Sequence, residues 1–165
     1  MQGLLSGLVP RLIPARLHRA IYRLGHRLRR MFLRHLSGEV HGCTVLGWDE
    51  SGNLLLVRHS YGPPVWALPG GGMRRNEDAE AAAQRELHEE LGCMLLQPVF
   101  VGQHREDFLG STNHVAIFSG RVDGRPCPDM REVVEARFFA PDALPANLST
   151  TVRKRLRALK EMPGS

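Results

Sequence analysis

The stretch LPGGGMRRNEDAEAAAQRELHEELGC, Leu68 to Cys93, begins with three consecutive glycines and ends with Glu86, Glu89 and Glu90 crowded into five residues. Its pattern predicts a helix from about Glu77 to Leu91. At 3.6 residues per turn, positions 86, 89 and 90 fall within about a third of the helix circumference, and Ala83, Leu87 and Leu91 occupy the adjoining sector. One side of the helix therefore packs, and the neighbouring side gathers carboxylates. Like charges at i, i+4 cost a few tenths of a kcal/mol, and a helix C-terminus prefers cations, so the grouping is unfavourable twice over. Either the face is simply solvated or a positive charge sits on it. A hard divalent cation takes oxygen ligands of this kind, and magnesium binds through one or two carboxylates while keeping waters and phosphate oxygens.

The spacing decides between these readings. The segment fits G-x5-E-x7-R-E-U-x-E-E-x-G-U, with U a bulky apolar residue, as Gly71, Glu77, Arg85, Glu86, Leu87, Glu89, Glu90, Gly92 and Cys93. Seven fixed residues at ordinary frequencies coincide by chance about once in 10⁸ starting points, too rarely for a solvated face to explain. The segment resembles the Nudix box of the Nudix hydrolase family. Cys93 replaces the usual last apolar residue, where a small hydrophobe packs adequately. Arg74, Arg75 and Asn76 stand where many members carry an acid, a proline and a glycine. Asn76 replaces the glycine mechanically, because Asn tolerates left-handed backbone and also caps helices. The arginine pair reads as solvated surface, with phosphate contact as the alternative. The flanking segments LVRHSYGPPVWALPGGG and EARFFAPDAL look like family sequence too, so the resemblance covers about Val40 to Leu144.

The resemblance implies an α/β/α sandwich around a mixed β-sheet. It also implies hydrolysis of a pyrophosphate bond in a nucleoside diphosphate linked to another moiety, or in a nucleoside triphosphate, with Mg²⁺ or Mn²⁺. Carried over by position, Glu86, Glu89 and Glu90 ligate the metal with the Gly70 carbonyl, and Arg85 pairs with Glu77. Gly70, Gly71 and Gly72 let backbone approach metal and phosphate. Arg58 is a candidate substrate contact, and Trp66, Tyr61 and Phe108 are candidate platforms for a base, with ordinary core as the alternative for Trp66. The general base stays open among Glu86, Glu89, Glu106, Glu132 and Glu135. The proline that marks ADP-ribose-type members is replaced by Phe108, and the marks expected for coenzyme A or NADH cleavage are missing, so the substrate stays at the level of a nucleotide derivative. A nucleotide-sensing module that binds without turnover is the alternative within the family.

The rest of the chain supports one catalytic domain, 39–165, behind a basic leader, 1–38. A length of 165 residues, 42% hydrophobic and 24% charged, is that of a single globular domain. Cys43, Cys93 and Cys127 form an odd set without C-x-x-C spacing, which suits a reducing, cytoplasmic setting. Residues 1–38 hold eight arginines and no acid, so of the net charge of +5 the remainder contributes −3. Basicity confined to a leader argues against a specific nucleic-acid partner. Leu17, Ile21, Leu24, Leu28, Met31 and Phe32 recur at helical steps, predicting an amphipathic helix over about Ala15 to Leu36. Packing on the domain or across a homodimer, peripheral contact with anionic lipid, and a mitochondrial transit peptide all suit that composition. A membrane-associated structural protein led by this helix is the reading from another class.

Downstream, strands are predicted over Val40 to Trp48, Asn53 to His59, Val99 to Arg105, Val115 to Val122 and Ala136 to Ala140. A closing helix follows, capped by Ser149 or Thr150, with Val152, Leu156 and Leu159 on its buried face. His88 is expected at the surface, and His104 and His114 as structural histidines.

Overall fold

Two apolar runs, VHGCTVLGW and LLLVRH, become the strands β1 (Val40–Trp48) and β2 (Leu54–His59). Both read as nearly continuous hydrophobic sequence because both faces of the sheet they enter are covered. In the computed structural model, which describes residues 39–108 and 111–160, alternate side chains of these strands feed two separate cores. Cys43, Val45, Leu55 and Val57 point to one side, and Leu46, Leu54 and Leu56 to the other. The leader, with the helix expected in it, lies outside the described residues.

The β1–β2 turn follows from its sequence. The Asp49 carboxylate accepts from the amides of Ser51 and Asn53 at 2.9 and 2.8 Å and from the Asn53 side chain at 2.9 Å, while Gly52 takes φ 76. Three further strands complete the sheet: β3 (Met94–Phe108), β4 (Ser111–Asp123) and β5 (Val133–Phe139), in the order β3-β4-β1-β2-β5. β1 runs parallel to β4, and the other pairs are antiparallel, so the sheet is mixed.

Helix α1 (Ala79–Leu91) covers one face through Ala82, Ala83, Leu87 and Leu91, which pack on Val45, Leu55, Val57 and Phe118. Its start lies two residues beyond the expected Glu77, because Asp78 is the cap and accepts from the amides of Glu80 and Ala81. Asn76 takes φ 61, the left-handed backbone expected of it, without capping. At the other end Gly92 takes φ 67 and returns its N–H to the His88 carbonyl at 2.8 Å. Helix α2 (Thr150–Lys160) covers the opposite face, where Val152 and Leu156 join Leu46, Leu54 and Ile117, and Ser149 Oγ accepts from the Val152 amide. The side chain of Leu159 lies outside the described residues. Helices on both faces of a mixed sheet make the α/β/α sandwich that the resemblance implied.

β3 is much longer than the predicted strand at Val99 to Arg105. Its register shifts between Leu96 and Val99 and again between Phe100 and Gly102, and Gln97 takes φ 47 just before Pro98. Each irregularity breaks the period-2 pattern that would mark the strand. β5 starts three residues before the predicted Ala136, at buried Val133.

Leu87 is fully buried at the centre of the α1 face. Leu87→Ala is expected to lower unfolding stability by about 2–5 kcal/mol, measured by denaturant unfolding, with an unchanged slope in denaturant concentration.

Candidate active site

The glycine segment is built into the sheet rather than looped over it. β1 and β2 pair at Trp48 and Leu54. Farther along, their backbone groups turn to residues 67–73. Val57 exchanges two hydrogen bonds with Ala67, at 2.8 and 2.9 Å. The Val45 and Cys43 amides donate to the Pro69 and Gly71 carbonyls at 2.9 Å each, and the Met73 amide donates to the His41 carbonyl at 3.0 Å. The chain is thus pressed against β1, and a Cβ on Gly70, at φ 136, would lie 2.3 Å from the Cys43 oxygen. A Cβ on Gly71 would meet the Glu86 carboxyl carbon at 2.6 Å. Position 70, pressed on backbone at a left-handed φ, accepts glycine alone, whereas a side chain at 71 would displace the Glu86 carboxylate.

Arg85 clamps this segment to α1. Its Nε and Nη2 donate to the two Glu77 oxygens at 2.7 and 2.9 Å, and Nη2 also reaches the Gly72 carbonyl at 3.1 Å. Nη1 donates to Glu86 Oε1 at 2.7 Å and to Glu89 Oε2 at 3.4 Å. The five donors of the guanidinium serve three carboxylates and a carbonyl. The Arg85 side chain, with the Arg74 amide at 2.7 Å, holds the Glu77 carboxyl down to about 2, and Glu77 in turn leads the effects that raise Arg85 above its ordinary value. Arg74, of the exposed arginine pair, reaches Glu89 Oε1 at 3.2 Å.

The positive charge expected beside the carboxylates is therefore supplied in part by the protein itself, at Glu86 and Glu89. Glu90 is in a different position. It is 4% exposed, and its Oε2 accepts from the Gly70 amide at 3.2 Å. Burial pushes its proton affinity well up, and the charges of Glu86, Glu132 and Asp129 push the same way against the Gly70 hydrogen bond. A buried acid within electrostatic reach of Glu86, Glu132 and Asp129 is the donor chemistry a hard divalent cation takes. Among the described residues no three His, Cys, Asp or Glu side chains converge on one point as they stand. The carbonyls flanking Gly70, of Pro69 and Gly71, are committed to β1.

A cavity of about 380 Å³ opens between the glycine segment, the start of β1 and α1, lined in part by Gly70, Gly71, Gly72, Glu86 and Glu89. Glu132 reaches it from the β4–β5 connection. That connection lies on the end of α1, with the Asp129 and Cys127 amides donating to the Glu90 and Leu91 carbonyls. The Asp129 carboxylate accepts from the amides of Arg131, Glu132 and Val133, fixing the turn that carries Glu132 inward. Tyr61 lines the cavity and stacks on His59.

Other expected residues lie elsewhere. Trp66, 6% exposed, is a core residue packed edge-on against Phe139, and Arg58 lies 5.8 Å over its ring. Arg58 pairs with Glu135 at 2.9 Å, and Glu135 also holds Arg137 at 2.7 Å. Neither Trp66, Arg58 nor Glu135 lines the cavity. The Glu106 and Phe108 side chains lie outside the described residues. His88 is exposed, and His114 is buried and stacks on His41. The sequence reading missed Arg155 and Thr44, both lining the cavity. Arg155 carried a signal: it stands three residues after Val152 on the stripe of α2 that faces the core.

A family model described as the NUDIX domain matches residues 41–159. A Bacillus subtilis (strain 168) protein named "Putative 8-oxo-dGTP diphosphatase" is 28% identical over 119 residues, covering 72% of this chain and 78% of that one. An RNA pyrophosphohydrolase of Saccharophagus degradans is 46% identical over 44 residues, 27% of this chain and 26% of that protein. Among solved structures, a MutT NUDIX hydrolase from Burkholderia pseudomallei superposes with a TM-score of 0.65 at 26% identity, covering 72% of this chain and 96% of that one. A MutT protein from Methanosarcina mazei Go1 superposes with a TM-score of 0.68 at 20% identity, over 78% and 98%, a likeness of fold.

The Glu77–Arg85 pair sets a pH dependence. With its carboxyl held to about 2, against an ordinary 4.5, Glu77 contributes stability that is complete above pH 4.5 and fades as pH falls toward 2. Thermal melts are expected to show the wild-type protein losing more stability than Glu77→Gln between those pH values. Parallel curves would contradict the pairing.

Proposed function

The chain belongs to the NUDIX domain family, and from that premise we propose that it is a divalent-metal-dependent hydrolase of a nucleoside diphosphate linked to another moiety, or of a nucleoside triphosphate. The observation that carries the reading is the buried Glu90 carboxyl behind the Gly70 amide, together with a cavity that Gly70, Glu86, Glu89 and Glu132 line. Nudix hydrolases generally use divalent metal ions. Here Glu86, Glu89 and Glu90, with the Gly70 carbonyl, would hold Mg²⁺ or Mn²⁺. When bound, such an ion neutralises charge on the pyrophosphate and acidifies water for attack at phosphorus.

The chain's own residues do the positioning. Arg85 fixes the glycine segment and α1 relative to each other through Gly72, Glu77 and Glu86. The absence of side chains at Gly70 to Gly72 lets the pyrophosphate approach the backbone. Of the described carboxylates outside the box considered as the base, Glu132 lines the cavity and Glu135 does not, so Glu132 is our choice for accepting the proton of the attacking water. Tyr61 takes over the base-stacking role considered for Trp66.

The Bacillus subtilis relative, which aligns along most of both chains, favours a nucleoside triphosphate. The RNA pyrophosphohydrolase match covers little beyond a quarter of either chain and weighs less. We read the setting as cytoplasmic, in keeping with the free cysteines Cys43, Cys93 and Cys127, and residues 1–38 as a contact to anionic lipid or a second copy of the chain. No described helix is long and apolar enough to cross a membrane.

The test incubates the protein, with Mg²⁺ or Mn²⁺, with nucleoside triphosphates including 8-oxo-dGTP, ADP-ribose, NADH, dinucleoside polyphosphates and coenzyme A. Metal-dependent release of the cleaved phosphate products from at least one is expected. Glu90→Gln should lower turnover about a hundredfold or more with an unchanged circular dichroism spectrum. A folded, fully active mutant would refute the assignment, and binding without release would favour a sensing module.

A further inference from the structure

Glu89 has an arginine on each oxygen, and the two arginines are held very differently. Arg85 reaches Glu89 Oε2 at 3.4 Å with a guanidinium that is 16% exposed and also serves Glu77, Glu86 and the Gly72 carbonyl. Arg74 reaches Glu89 Oε1 at 3.2 Å, and here the two side chains are 67% and 52% exposed. The Arg74 backbone is fixed: its amide donates to Glu77 Oε2 at 2.7 Å, and its carbonyl accepts from the Glu77 amide at 3.1 Å. Among the described residues, its guanidinium hydrogen-bonds to Glu89 alone.

We propose that Arg74 is an exchangeable counter-ion of Glu89, which a divalent cation displaces to complete its ligand set, so that this arginine sets how tightly the site takes its metal. The inference deepens the hydrolase reading above and rests on the metal site of that reading. An exposed ion pair is weak, because water competes for both charges and two long side chains must be held still. A divalent ion brings twice the charge and takes oxygen ligands by preference, so it can win Oε1 from a guanidinium held by one contact. The exchange also accounts for the spread of the carboxylates among the described residues, where no three acids converge. Glu86 is drawn to Arg85, Glu90 to the Gly70 amide, and Glu89 to Arg74 and Arg85. Of these ties, the one to Arg74 is open to solvent on both sides, whereas the Arg85–Glu86 pair is 16% and 14% exposed. Glu89 is therefore the ligand that arrives last, and Arg74 is what it leaves.

Mn²⁺ binding to the full chain without nucleotide, followed by the paramagnetic resonance of the free ion, compares the wild-type protein with R74Q and R75Q, each checked by a thermal melt. Arg75 is exposed and makes no ion pair among the described residues, so R75Q removes the same charge one residue away without removing a contact. R74Q is expected to bind Mn²⁺ about two- to fivefold more tightly than wild type, and R75Q within about 1.5-fold of it. Nitrogen-15 spectra of the arginine side chains give a second reading, with the Arg74 signal identified by its loss in R74Q. In the wild-type protein that guanidinium should rotate slowly without metal and freely at saturating Mg²⁺. The inference is overturned if R74Q binds no more tightly than wild type, if R75Q tightens binding as much as R74Q does, or if Mg²⁺ leaves the rotation of Arg74 unchanged. Should R74Q not fold, the Mg²⁺ titration of the wild-type protein decides, with the signal identified by R74K. Metal uptake with equal affinity in all three proteins would remove the inference and leave the hydrolase reading standing. A wild-type protein that takes up neither ion would sink both.

Discussion

Three backbone hydrogen bonds between β1 and residues 69–73 hold the active-site segment, and nearly everything that places chemistry in the cavity depends on them. Because the Pro69 and Gly71 carbonyls are taken by Val45 and Cys43, the segment lies flat against the strand at a distance that only glycine at position 70 allows. A side chain there would lift the segment from the strand. The Gly70 amide would then leave the Glu90 carboxyl, and the Pro69 carbonyl would leave Thr44. Glycine here is needed for contact, not for flexibility, and its φ of 136 follows from the same constraint.

The electrostatics build on that frame. Three glutamates near one helix end invite the conclusion that an external cation must hold them together, yet Arg85 already bridges two of them and a fourth carboxylate, Glu77. Its contribution is geometric as much as electrostatic. By spending its full fork on Glu77, Glu86, Glu89 and Gly72, it removes the freedom of the loop–helix junction and leaves Glu90 the carboxyl without a cation of the protein's own among the four. Burial pushes the proton affinity of Glu90 up, and its charged form is opposed by Glu86, Glu132 and Asp129. An ion bound there would meet the carboxyl, of these four, that Arg85 does not reach.

The sequence disclosed what side-chain spacing encodes and hid what backbone encodes. The α1 register and the β1 strand were legible because each rests on residue type at a fixed interval, and the Arg85–Glu77 pair and the left-handed Asn76 because the resemblance to the Nudix box implied them. The insertion of residues 67–73 between β1 and β2 was not, because its partners are amides and carbonyls that every residue carries. β3 was under-read for a related reason: two register shifts and a left-handed Gln97 scrambled the alternation that defines a strand. Trp66 could have been a platform or core on composition alone, and tertiary packing against Phe139 made it core. Arg155 was overlooked because an arginine in the basic segment RKRLR is ordinarily assigned to solvent, although its place on the Val152 stripe argued otherwise.

The two faces of the sheet are chemically unequal, and the cavity is where they meet. α1 brings acids, each oriented by Arg85 or by the Gly70 amide. α2 brings the buried Arg155, which donates to Thr44. Neither helix reaches the other's face, so their relation is set by the element that touches both, the Pro69–Gly70 peptide, with its carbonyl toward Thr44 and its amide toward Glu90. That peptide is planar and rigid, and its carbonyl and N–H point in opposite directions, so it holds Thr44 and Glu90 on opposite sides of one backbone unit. The placement of these two side chains thus follows from the geometry of one peptide bond, held in place by the hydrogen bonds of β1.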